Sequence, residues 1–152
     1  MNGPQLGLHC KLYRNTGTVG TPVWTEVSEI GDLTAGLARL FAELKRRASG
    51  WVKNIAGLLN LDSFQFKMIH GLGATNLEAI RDNFLSGTAE EFAIADGDIA
   101  TSGTQAFRLP AAVENFPINQ PLEDIHDHEV TLKLAYLDDG GTEVDPSWMT
   151  VV

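Results

Sequence analysis

The stretch from Asn76 to Gly87, NLEAIRDNFLSG, is the feature that most constrains this chain. Its spacing predicts a helix over 75–86 with one apolar stripe, Leu77, Ile80, Phe84 and Leu85. Thr75 and Glu78 match the T-x-x-E capping box, in which the Thr75 hydroxyl accepts from a first-turn N–H while Glu78 reaches back. Gly87 supplies the stop. A stripe of that width covers one face of a sheet or one mouth of a barrel. It does not build a helical bundle, so the other apolar residues must be buried by strands.

Period-two patterns supply those strands. In 6–14, Leu6, Leu8, Cys10 and Leu12 alternate with His9, Lys11 and Tyr13, which predicts a half-buried strand with Cys10 in the core. Residues 23–30 have strand composition. In 63–70, Phe64, Phe66, Met68 and His70 alternate with Ser63, Gln65, Lys67 and Ile69, and GLG at 71–73 ends the run. Residues 90–96 read as a strand, and 97–105 as a loop. Residues 106–118 read as extended but interrupted by Pro110 and Pro117, which suits an edge or bulged position. The clearest alternation is 128–136, with Val130, Leu132 and Leu134 on one face. Residues 33–48 fit two periods. Leu33, Leu37, Leu40, Phe41 and Leu44 have helical spacing, while Ala42, Leu44, Arg46 and Ala48 alternate; pattern alone favours a helix. With 152 residues, 43% of them hydrophobic, and no linker or repeat, the expectation is a single mainly β domain, 1–152, with one helix.

Composition excludes several classes. No apolar run is long enough to span a membrane, and no secretory signal is evident. The single cysteine, Cys10, permits no intrachain disulfide and fits folding in a reducing cytoplasm. The net charge of −9 argues against a nucleic-acid clamp, and no DNA-binding residue is predicted. The charge is uneven. Residues 1–75 carry 8 Lys and Arg against 5 Asp and Glu, a net of +3, and residues 76–152 carry 3 against 15, a net of −12. An uneven solvated surface is one account; complementary faces of a self-associating subunit are the other.

Catalytic chemistry is not visible. His126 and His128 share a strand face beside Asp124 and Asp127, but a structural metal site wants about four ligands, and no third histidine is near in sequence. They read as solvated polar residues ahead of a strand. Asp96 and Asp98 lack the further acidic positions of an EF-hand loop. GLGATN is not a dinucleotide fingerprint, and no serine lies in a nucleophile elbow. No catalytic residue, metal or cofactor is expected.

The ordered series WTEVSEIGDLT, AELKRRASGW, LLNLDSFQFKMI, LEAIRDNFLSGT and ADGDIATSGTQAFRLPAAVENFPINQPLEDIHDHEVTLKLAY resembles the tail tube proteins of long-tailed phages over roughly residues 20–137. Each motif is short, and their order is the more specific signal. The departure is 33–44, rich in Leu and Ala where the family alternates Thr and Glu. Following the resemblance, 40–48 is expected as a strand.

The resemblance implies a β-sandwich or barrel with one flanking helix, the fold shared with type VI secretion tubes. With a core of about 6–137, the basic run predicts a projecting loop and strand at 31–54, and the turn residues and apolar end of 138–152 predict a C-terminal arm. In function the resemblance implies a virion tail subunit, folded in the host cytoplasm and stacked in hexameric rings around a lumen through which DNA passes without specific binding. Implied partners are other copies of the chain and tail proteins such as the tape measure, tail tip and terminator. The alternatives are a monomeric β-sandwich binding or decoration module, or a tube of a contractile or secretion system. Contact candidates are the basic residues Lys45, Arg46, Arg47 and Lys53, with Trp148 and Met149 in the C-terminal arm. The N-terminal MNGPQLG reads as a second arm. The basic group is expected to dock on acidic residues of a neighbour in 90–98 or 123–129, and the lumen to be acidic or neutral.

Overall fold

A computed structural model describes residues 4, 6–71 and 73–152. Most of the expected N-terminal arm, and Leu72 in the expected 71–73 break, lie outside these residues. The elements in chain order are β1 (Lys11–Asn15), β2 (Trp24–Glu26), β3 (Ile30–Leu44), β4 (Lys53–Ile69), α1 (Thr75–Ser86), β5 (Glu90–Ala95), β6 (Gln105–Asn115), β7 (Asp127–Leu134), β8 (Asp138–Asp139), β9 (Thr142–Glu143) and β10 (Ser147–Thr150). The main sheet is antiparallel in the order β2-β1-β5-β6-β7-β4-β3, and β10 joins it on β6. The fold is β-rich α+β, and α1 is the only α-helix among the described residues.

The sandwich or barrel is made by one sheet curled on itself. Strands β4 and β5 stand three places apart in the ladder, about 14 Å in a flat sheet. Yet the rings of Phe64 on β4 and Phe92 on β5 meet edge to face with centroids 6.0 Å apart. Inside the curl lie Leu12, Val27, Phe64, Phe66, Met68, Phe92, Leu109, Val130 and Leu132, capped by Leu77 and Ile80 of α1. The alternation of 63–70 and 128–136 points these residues inward as expected.

Several local expectations are corrected. Leu6 and Leu8 are exposed and Gly7–His9 form a 3-10 turn, so the first strand starts at Lys11 and Cys10 lies on the surface rather than in the core. The helix begins one residue earlier than a Thr75 cap requires. Ala74 is the N-cap, no side chain caps the first turn, and the Thr75–Glu78 box is not formed. Gly87 does end the helix, at φ 71°, where a Cβ would be strained. The stripe is shorter than predicted: Leu77 and Ile80 are buried, Leu85 is exposed, and Phe84 lies at the margin with its ring stacked on Phe116.

Pro110 is fully buried in a central strand rather than at an edge. The reason lies in the pairing. On one side of β6, β10 pairs as far as Arg108 and β7 begins at Ala111. The Pro110 carbonyl accepts from Ala135 N on that side, so the missing N–H also faces the gap between the two partners and costs no ladder bond.

Segment 33–48 is not a helix. It is strand β3 up to Leu44, and a loop follows where strand was expected to continue to residue 48. The ladder to β4 slips between Ile30 and Leu33, Gly36 and Leu37, and Arg39 and Phe41. Each slip shifts the two-residue period and brings the leucines closer to helical spacing.

Core truncation and surface truncation should separate cleanly. Phe66→Ala, at a 1% exposed site, is expected to lower urea-unfolding stability by about 3–5 kcal/mol. Leu85→Ala, at a 74% exposed site, should change it by less than about 0.5 kcal/mol. Equal effects would contradict the assigned helix face.

Candidate functional site

Strands β3 and β4 are longer than the core they serve. Strand β7 pairs with β4 only from Gln65 to Ile69. Before Gln65, β4 has β3 as its only ladder partner, and residues 53–60 of β4 are exposed throughout. The two strands therefore leave the domain as a two-stranded ribbon. Such a ribbon is at best marginal alone in water. The sequence makes it more demanding: Leu37, Leu40, Phe41, Ile55, Leu58 and Leu59 are all exposed. Leu40 and Phe41 are neighbours, as are Leu58 and Leu59, so both faces of the ribbon carry apolar surface. Close pairing within the ribbon depends on Gly57, where a Cβ would sit 3.0 Å from the Leu40 carbonyl oxygen.

The basic candidates lie at the ribbon's tip. Lys45, Arg46 and Arg47 are exposed in the 45–52 loop, with Lys53 at the start of β4, opposite Leu44. Lys45 pairs with Glu43 at 3.4 Å across open surface. Trp51 and Val52 are exposed in the same loop.

The C-terminal candidates belong to a strand of their own subunit. Trp148 pairs with Phe107 and Met149 with Ala106 in the β10–β6 ladder. Met149 packs against Tyr13, Ala93, Ala95 and Ala106. Trp148 rests on the Phe107 ring at 5.0 Å but stays 68% exposed. It borders an apolar groove of about 550 Å³ between β10 and the root of the ribbon, which Leu37, Leu59, Leu61, Leu109 and Pro146 also line.

The two acidic segments differ. Those in 90–98 are engaged within the subunit. Glu90 accepts from Arg14 at 2.8 Å and from Asn83, and burial pushes its carboxyl up against the opposing pull of Arg14. Glu91, 4% exposed, is held by Arg108 at 2.8 Å and Asn15 at 3.1 Å. Asp96 and Asp98 accept from the backbone N–H groups of Gln105 and Ala100, which shapes the 97–105 loop. In 123–129, Glu123, Asp124 and Glu129 are exposed. Asp127 pairs with Lys67 at 3.0 Å and accepts from Asn119, and these partners hold its carboxyl below the usual range. An open depression of about 680 Å³ brings Asp32, Asp127 and Glu129 together on this side.

The histidines are not solvated residues ahead of a strand. His128 is 4% exposed and stacks on Phe116, and His126 stacks on His70 with centroids 4.0 Å apart. Burial, then the neighbouring imidazoles, hold His126 below its ordinary pKa. Sequence distance concealed His70, which the β4–β7 ladder brings across; the signal was its place on the Phe64–Met68 face.

Because the ribbon leucines touch little of their own domain, the double change Leu58→Ser and Leu59→Ser should alter the stability of dilute protein by under about 0.5 kcal/mol per site. Light scattering at high concentration should fall in the same variant. A loss of several kcal/mol would show that the ribbon packs on its own subunit.

No family model matches this sequence, and no curated protein does. Solved structures do. The tail of an empty gene transfer agent particle, refined with C6 symmetry, superposes at a TM-score of 0.73 with 14% identity, over 97% of this chain and 100% of that one. The SPP1 tail tube matches at 0.66 and 16% identity, over 86% and 76%. The tube–sheath complex of an extracellular contractile injection system matches at 0.63 and 10%, over 97% and 93%. The chain thus has the fold of tail tube proteins.

Proposed function

We propose that this chain is the structural subunit of a phage-type tail tube, stacked in six-membered rings around a lumen that conducts DNA, with no catalytic role. The observation that carries this reading is the ribbon. It offers unpaired strand edges and exposed apolar side chains, and ribbons side by side around a ring would pair those edges and bury part of that apolar surface. The C6 symmetry of the gene transfer agent tail supports six as the ring number. The tube of a contractile injection system has the same fold, so a sheathed tail is compatible. Tape-measure, tip and terminator proteins are the expected partners at the tube's ends and bore.

Ring stacking in one direction makes head-to-tail contacts, in which one face meets a different face of the next copy. The basic tip supplies one face. The acidic depression of Asp32 and Glu129, with Glu123 and Asp124 nearby in sequence, supplies the other. Exposed ion pairs are individually weak, so several act together and set direction by disfavouring like-charge contacts. Trp148 and its apolar groove form a further contact surface beside the ribbon root. Residues 54–61 of the ribbon carry no charge, which suits a bore wall that must not hold phosphates.

Negative-stain microscopy of the purified protein tests the reading. Rings or tubes are expected, and a monomer of 16.5 kDa at every concentration would favour a monomeric binding module instead. Arg46→Glu with Arg47→Glu should leave the fold intact and slow tube growth at least about tenfold, as should raised salt on the parent protein. Normal growth of the double variant would remove the tip from the contact.

A further inference from the structure

We propose that His70, His126 and His128 form a binding site for a transition-metal dication of the zinc class. The β4–β7 ladder builds it. Met68 pairs with His128, and the His70 N–H donates to the His126 carbonyl at 2.9 Å, which carries the pairing beyond the end of β4. Met68, His70, His126 and His128 therefore share one face of the sheet. Met68 is the last core residue on that face, and three imidazoles follow it at the rim. A ring nitrogen from each lies within 4.8 Å of those of the other two.

Hydrogen bonding fixes which nitrogens face inward. The Pro117 carbonyl can only accept, and it lies 3.0 Å from His128 Nδ1, so that nitrogen carries the proton. His128 Nε2 then accepts from His70 Nδ1–H at 3.0 Å, a proton that metal binding displaces. A backbone carbonyl that orients the far nitrogen is the usual outer support of a metal-bound histidine. Two imidazole nitrogens on a tetrahedral zinc stand about 3.3 Å apart, given Zn–N bonds of about 2.0–2.1 Å. The His70–His128 pair is already near that separation. His126 Nε2 is buried with no hydrogen-bond partner, and a cation would coordinate its lone pair. The nearest basic residue in sequence, Lys67, is turned to the other face and paired with Asp127. His70 is exposed, which gives an ion a way in and leaves a fourth position for water. Nitrogen ligands without sulfur or carboxylate favour Zn²⁺, Co²⁺, Ni²⁺ or Cu²⁺ over Mg²⁺ or Ca²⁺.

An ion here would tie the end of β4 to the start of β7 and brace the 116–126 segment that joins β6 to β7. The site stands independently of tube assembly. The test uses tag-free, full-length protein stripped with a chelator, then titrated with Zn²⁺ by calorimetry and with Co²⁺ by visible absorption. One saturable equivalent, the d–d bands of tetrahedral Co²⁺ and an unfolding midpoint that rises with Zn²⁺ are expected. His70→Gln and His126→Gln should each weaken binding at least about tenfold, by loss of one of three ligands. His9→Gln should bind as the parent does. His70 is exposed, so its variant decides the matter even if the His126 variant fails to fold. Absence of one-to-one binding, or His70→Gln titrating like the parent, would overturn the proposal.

Discussion

Two strands that outrun their core set the terms for the rest of the molecule. Strand β4 enters the core only at Phe64, and everything before it pairs with β3 alone in the ladder. A sheet normally covers its apolar residues with its own second layer or a helix. Here the curled sheet and α1 cover the Phe64–Met68 half of β4, and the described residues leave Leu58 and Leu59 largely exposed. The slips in the β3–β4 ladder and the close approach at Gly57 are the local means by which such long strands stay paired while twisting away from the domain.

The charge distribution follows from the same division of labour. The carboxylates of Glu90 and Glu91 are paired within the domain: Glu90 with Arg14, and Glu91 with Arg108 and Asn15. These carboxylates lie where breaking a pair would strand a charge, so they serve the fold. Among the described residues, the basic residues of the ribbon tip have no comparable internal partners beyond the exposed Lys45–Glu43 pair. Exposed charge outside these pairs includes Arg46, Arg47 and Lys53 at the tip, Glu123, Asp124 and Glu129, and the acidic residues Asp138, Asp139, Glu143 and Asp145.

Much of this was legible in the sequence where one physical signal dominated. Alternation located the inward faces of β4 and β7, and Gly87 marked the helix end. Legibility failed where two signals competed. In β3 the apolar residues lie on both faces and the ladder slips, so leucine spacing imitated a helix. At the start of α1 a matching capping pattern was overridden by the chain's entry through Ala74. Pro110 reads as an edge residue unless one knows that β6 changes partners beside it. The histidine cluster needed register: His126 and His128 were visible as a pair, but His70 is 58 residues from His128 and becomes their neighbour only through the β4–β7 ladder.

The central claim is that neighbouring subunits cover the ribbon. Amide hydrogen exchange over residues 35–62, compared between dilute monomer and assembled particles, tests it most directly. The account predicts fast exchange at the ribbon in the monomer and protection in the assembly, with core strands β4 from Phe64 onward and β7 slow in both. Ribbon amides that exchange equally fast in both states would contradict it.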